Sequence, residues 1–62
     1  MLYWIMIVWA DGSEPTFIAD TRWEYICKTA KENPRALSRG KYELWRMTRD
    51  GGQKKVAAIE IP

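Results

Sequence analysis

Leu2-Tyr3-Trp4-Ile5-Met6-Ile7-Val8-Trp9 is the stretch whose reading decides the fold. It contains no charge, no glycine and no proline, and β-branched and aromatic side chains fill most of it. That composition suits a pleated strand better than a helix. Successive side chains of a strand point to opposite faces, so a strand with one wet face alternates apolar and polar residues. This run does not alternate. Tyr3, Ile5, Ile7 and Trp9 project one way, and Leu2, Trp4, Met6 and Val8 the other. Both faces of the sheet at this strand favour leaving water, which places the strand centrally.

The rest of the chain supplies neighbours and cover. Asp11-Gly12 between two β-type runs predicts a hairpin with a two-residue turn, in which both central residues take positive φ. The second strand is Glu14–Ala19, and Pro15, which has no N–H to give a ladder, marks it as an edge. Thr21-Arg22-Trp23-Glu24 has the spacing of a capping box. A helix follows to about Asn33, with an apolar stripe of Trp23, Ile26, Cys27 and Ala30 and a favourable Glu24–Lys28 pair on its outer side. Pro34 stops the helix and opens a short turn to Ser38, anchored by Leu37 and closed by Gly40.

Lys41–Arg49 reads as the third strand, Asp50-Gly51-Gly52 as a second hairpin turn and Lys54–Ile61 as the fourth strand. A two-residue turn at either position puts Tyr42 and Leu44 on one face with Ala57, Ile59 and Ile61. It puts Trp45 and Met47 on the other with Val56 and Ala58, Glu43 and Glu60 alongside. The expected fold is α+β: a single ββαββ domain over residues 1–62, a four-stranded antiparallel sheet with one helix packed on one face. A right-handed crossover gives the strand order 2-1-3-4, against a competitor with strand four beside strand one.

A chain of 62 residues buries only ~60% of its unfolded surface, and small domains usually add disulfides, a metal or self-association. One cysteine, Cys27, and no histidine exclude an intrachain disulfide and a Cys/His metal site, so neither metal nor other cofactor is expected. A lone cysteine fits a reducing, cytoplasmic setting. The apolar N-terminal run is too short to span a membrane and has no basic flank of the signal-peptide kind. A soluble protein without membrane contact is expected, held by dense aromatic packing and by dimerisation through the helix-free face.

The same composition argues against catalysis. Without histidine the usual general base at neutral pH is absent. Cys27 sits on the buried stripe with nothing to activate it, and the carboxylates are scattered over turns and strand ends. Gly51-Gly52 joins two strands and opens no helix, so it is no phosphate loop.

Binding remains, and the aromatic residues direct it. Trp4 and Trp9 point to opposite faces and Trp45 points away from Leu44, so at least one large ring lies on the helix-free face. Contiguous exposed apolar surface beyond a few hundred Å² marks an interface, and Trp is enriched among interface hot spots. Charge is uneven. Residues 1–27 set Arg22 against four carboxylates, a balance of −3, and residues 28–55 set nine cations against three carboxylates, a balance of +6. The candidate partner-binding residues are therefore Trp45, Met47 and Val56 with the basic hairpin residues Arg46, Arg49, Lys54 and Lys55. An acidic or apolar protein surface is the expected partner. The alternative is nucleic acid, its phosphates held by the cations and its bases stacked on Tyr42 and Trp45. Against that alternative, +2 is a low net charge for such a binder, and no RNP, KH or zinc-finger pattern is present.

A short hairpin, then Phe17-Ile18-Ala19-Asp20-Thr21 leading into an amphipathic helix, then the hairpin Lys41–Ile61, resembles many small bacteriophage-encoded accessory proteins. These include inhibitors of host enzymes and anti-CRISPR proteins. The resemblance covers nearly the whole chain as architecture, contains no diagnostic motif and transfers no functional residue. It implies action by occluding a partner's surface, without catalysis.

Overall fold

In the computed structural model, which describes residues 2–62, the two-sided strand β1 (Tyr3–Trp9) lies inside the sheet. It is flanked by β2 (Thr16–Ile18) and β3 (Gly40–Met47), and β4 (Gln53–Ile61) lies beyond β3. All neighbours are antiparallel, in the order β2-β1-β3-β4. Between β2 and β3 runs the helix α1 (Trp23–Glu32), followed by a 3-10 turn over Pro34–Ala36. The fold is the α+β arrangement expected from the hydrophobic pattern, and α1, at ten residues, is far too short to cross a membrane.

One face of the sheet meets α1. Ile5 and Ile7 of β1, Tyr42 of β3 and Ile61 of β4 are buried there with Ile26, the one fully buried side chain of the helix. Trp23 and Ala30 flank Ile26 on the predicted stripe, Trp9, Ile18, Leu44 and Ile59 extend the core along the sheet, and Leu37 closes it from the 3-10 turn. Cys27 is half-buried and free. The Tyr42 hydroxyl donates to the Ser38 carbonyl at 3.0 Å, so the ring's polar end is satisfied at the core margin.

The capping box does not form. α1 begins at Trp23 with Arg22 at its cap and no side-chain capping bond. The Tyr25 and Ile26 N–H groups both reach the Arg22 carbonyl, and Thr21 instead turns its hydroxyl to the Asp20 carboxylate. A start one residue later makes Glu24 the second helical residue, out of the position from which it could reach back.

The two Asp-Gly turns share one geometry, and it is not the primed turn. Gly12 and Gly51 have φ of 85° and 84°, while among the described residues no non-glycine has positive φ. The Gly12 N–H donates to the Trp9 carbonyl at 3.3 Å and the Gly51 N–H to Thr48 at 3.1 Å. Each aspartate accepts from the N–H two residues on, Asp11 from Ser13 at 2.9 Å and Asp50 from Gly52 at 3.1 Å. That side-chain bond holds the aspartate at negative φ and leaves the left-handed position to the glycine alone. The Thr48 hydroxyl makes a further short bond to Asp50.

This geometry changes the second hairpin. Arg49-Asp50-Gly51 forms a three-residue loop closed by the Thr48 N–H on the Gly52 carbonyl at 2.9 Å, so Trp45 pairs with Lys55, Arg46 with Lys54 and Met47 with Gln53. A β-bulge then shifts the register by one, and Leu44 pairs with Ala57, Tyr42 with Ile59 and Gly40 with Ile61. The core half of the hairpin is thus paired as expected, and the half near the turn is not. Val56 is the extra residue at the bulge, and the expectation that it shares a face with Trp45 and Met47 is corrected: Lys55 lies opposite Trp45.

Candidate recognition surface

Among the described residues no secondary-structure element covers the other face of the sheet. The register sets its residues in rows: Phe17, Met6, Glu43 and Ala58 in one, Trp4, Trp45 and Lys55 in the next, and Val8, Lys41 and Glu60 at the far end. Leu2 and Met47 meet at the near end, where the Met47 N–H donates to the Leu2 carbonyl at 3.1 Å. The surface has two halves. Over β2 and β1 it is apolar, with Phe17 and Leu2 well exposed and Trp4, Met6 and Val8 half-buried. Over β3 and β4 it carries Lys41, Glu43, Lys55 and Glu60, which sum to no net charge.

Trp45 joins the halves. Its indole N–H donates to Glu43 Oε1 at 3.1 Å, and Lys55 Nζ sits 3.2 Å from Glu43 Oε2 and 5.9 Å from the Trp45 ring centre. Burial is the largest single influence on the Glu43 carboxyl and would raise its pKa. The indole hydrogen bond, the bond and charge of Lys55 and the charge of Lys41 together outweigh it, and the pKa lies below the ordinary 4.5. A carboxyl whose folded pKa is depressed stabilises the fold above its unfolded pKa, and that contribution is lost as pH falls through the folded value. Glu43→Gln is therefore expected to flatten the acid limb of stability below about pH 4.5, measured as the urea midpoint against pH. Asp11 and Asp50, lowered chiefly by hydrogen bonds from Ser13 and Thr48, retain their own share of that limb in the variant.

The structure separates the sequence-derived candidates. Trp45, Met47 and Lys55 lie together on the open face. Arg46 and Lys54, paired with each other and with Tyr3, project from the α1 side, and Arg49 stands at the tip of the loop. Val56 lines an open groove of about 730 Å³ with Tyr3, Leu44 and Trp23 of the α1 side, and Trp4 and Phe17 reach the same groove. The basic, aromatic-bearing surface expected of the hairpin is thus divided between two faces: Arg46 turns away from Trp45 by strand alternation, and the odd loop and the bulge bring Lys54 opposite Arg46 and not Met47. Five apolar contributors to the open face lie outside the sequence-derived candidates, Phe17, Leu2, Trp4, Met6 and Val8, although strand alternation had already set the last four on one face. Phe17 was legible, since a turn centred on Asp11-Gly12 sets it opposite Met6.

Among the described residues no three His, Cys, Asp or Glu side chains gather as metal ligands would. No protein-family model, curated protein or solved structure matches the chain.

Proposed function

We propose that this chain is a non-catalytic binding module that occludes a protein partner with its open sheet face, in the manner of small phage-type inhibitors. The observation that carries this reading is the uncovered apolar half of that face, where Phe17 and Met47, 57% and 40% exposed, border Trp4 and Trp45 in a domain whose other face has its own core. Large rings displace water over a broad area at low entropic cost, and the flexible thioether of Met47 adapts to irregular apolar surface, the chemistry of an interface centre. The adjoining Lys41, Glu43, Lys55 and Glu60 set register and suppress wrong partners. The partner surface that fits is apolar with a mixed-charge margin. It is not the strongly acidic surface that the cation count alone suggests, since Arg46 and Lys54 point elsewhere.

Affinity capture with the Phe17→Ser/Met47→Ser variant tests this, with Tyr25→Ser, altered on the exposed outer side of α1, as the control. Loss of the open-face pair is expected to weaken partner binding by about 2 kcal/mol or more, roughly thirtyfold, while the melting curve stays close to that of the unaltered chain. Tyr25→Ser should bind normally. Binding unchanged in the double variant, or lost in the control, overturns the reading. Salt separates the nucleic-acid alternative: a complex held by six or more phosphates loses about a thousandfold between 50 and 200 mM, and an apolar face loses little.

A further inference from the structure

β4 forms an outer edge of the sheet, and the ladder shows which of its main-chain groups face outward. Met47 bonds to Leu2, and the Ala10 N–H reaches the Arg39 carbonyl at 3.4 Å. Hydrogen-bonded pairs alternate along an antiparallel ladder, so Trp45, Glu43 and Lys41 also turn their main-chain groups to β1. Tyr42 and Leu44 then turn theirs to β4, where Ile59 and Ala57 receive them. Ala58 and Glu60 are left directing N–H and C=O away from the sheet.

A row of such groups is a template for another strand, and natural edges are guarded by bulges and lysines. The first half of β4 has both guards, the bulge at Val56 and the pair Lys54-Lys55. The second half, Ala57-Ala58-Ile59-Glu60-Ile61, carries a single charge and two alanines. We infer that this unguarded half pairs antiparallel with the same segment of a second copy, about a two-fold axis at Ile59.

The register follows from hydrogen bonding and charge. With Ile59 on the axis, Ala58 lies opposite Glu60 of the second copy and Glu60 opposite its Ala58, so every outward group meets another outward group. On the α1 side Ala57 meets Ile61 of the second copy, small against large. On the open face the residue beyond Ala58 is Lys55, which brings it diagonal to Glu60 of the other copy, an attractive placement. Sliding one residue pair outward sets Glu60 against Glu60, and sliding inward sets Glu60 against the bulge. The result is one continuous sheet with both helices on one side. The apolar patch over β2 and β1 stays uncovered, so this pairing and partner binding fail or succeed independently.

Sedimentation equilibrium up to about 500 µM, within the weak range usual for small interfaces, reads the association directly. The unaltered chain is expected to dimerise. Ala58→Pro removes an outward N–H and leaves the bonds to β3 intact, so it should weaken the dimer at least about tenfold with the circular dichroism spectrum retained. Independently, Cys27→Ala/Ile59→Cys places a thiol on the axis in a non-hydrogen-bonded pair, where Cα atoms lie about 4.5 Å apart, within disulfide range. Glutathione disulfide should convert it to a covalent dimer. A monomer at the highest concentration, or a dimer that Ala58→Pro does not weaken and Ile59→Cys does not cross-link, overturns the inference. If Ala58→Pro fails to fold, the Ile59→Cys cross-link decides alone.

Discussion

Gly40→Ala is expected to lower the melting midpoint by about 15 °C or more, removing about a third or more of the domain's stability. Gly40 is buried at the start of β3 with φ of 149°, a conformation that residues with a side chain rarely adopt. A Cβ there would lie 2.6 Å from the Val8 carbonyl oxygen and 3.3 Å from the Trp9 Cα. Both are backbone atoms of β1, which cannot swing aside as a side chain would. Relief would require parting β1 from β3 where Trp9 pairs with Gly40 and Ala10 bonds to Arg39. Strained backbone alone costs of order 1–3 kcal/mol, and the clash brings the total to about 3 kcal/mol or more. A domain of this size has only about 3–9 kcal/mol in total. Gly12→Ala is the control. Gly12 also has positive φ, but nothing lies within 4 Å of its Cβ position, so only the conformational penalty of about 1 kcal/mol remains.

Ile26→Ala is expected to cost about 2–5 kcal/mol, read as a lower urea midpoint at unchanged slope. Ile26 is 1% exposed and packs among Ile5, Ile7, Tyr42 and Ile61, at the point where one turn of α1 touches the middle of the sheet. Its neighbours on the stripe cannot replace it: Trp23 and Ala30 are only partly buried, and Cys27 lies at the margin. The surrounding side chains come from three different strands held in one ladder, so they cannot collapse far into the vacated space. The helix has no other fully buried anchor, and it loses contact with the sheet when this one is shortened.

The fold was readable from the chain because its decisive signals are regional. An uncharged two-sided strand, one amphipathic stripe and the breaks at Asp11-Gly12, Pro34 and Asp50-Gly51 leave few ways to assemble four strands and a helix. The strand order follows from putting the most apolar strand inside, and β1 does lie there. What escaped was single-residue detail. Asp-Gly serves a primed two-residue turn and a three-residue loop with a left-handed glycine equally well. The choice at Asp50-Gly51 rests on the Asp50 carboxylate, which accepts from the Thr48 hydroxyl and from the Gly52 N–H. That choice shifts the register by one, and the bulge at Val56 restores it only from Leu44 onward. The core pairs Tyr42–Ile59 and Leu44–Ala57 were therefore legible, while the pairing of Trp45 with Lys55 and of Arg46 with Lys54 was not. A one-residue slip exchanges the two faces of a strand, so a candidate surface built on a hairpin is the part most exposed to it.

Four tryptophans, two on each side of the sheet, make the open face directly observable. Trp4 and Trp45 lie on it, while Trp9, bonded through its indole N–H to Thr16 at 2.8 Å, and Trp23 pack on the α1 side. The four indole N–H resonances, followed in a two-dimensional amide spectrum as a captured partner is titrated in, report which side the partner covers. Shifts at Trp4 and Trp45 with Trp9 and Trp23 unmoved are the predicted result. Shifts at Trp9 and Trp23 with Trp4 and Trp45 unmoved would contradict the assignment of the open face as the recognition surface.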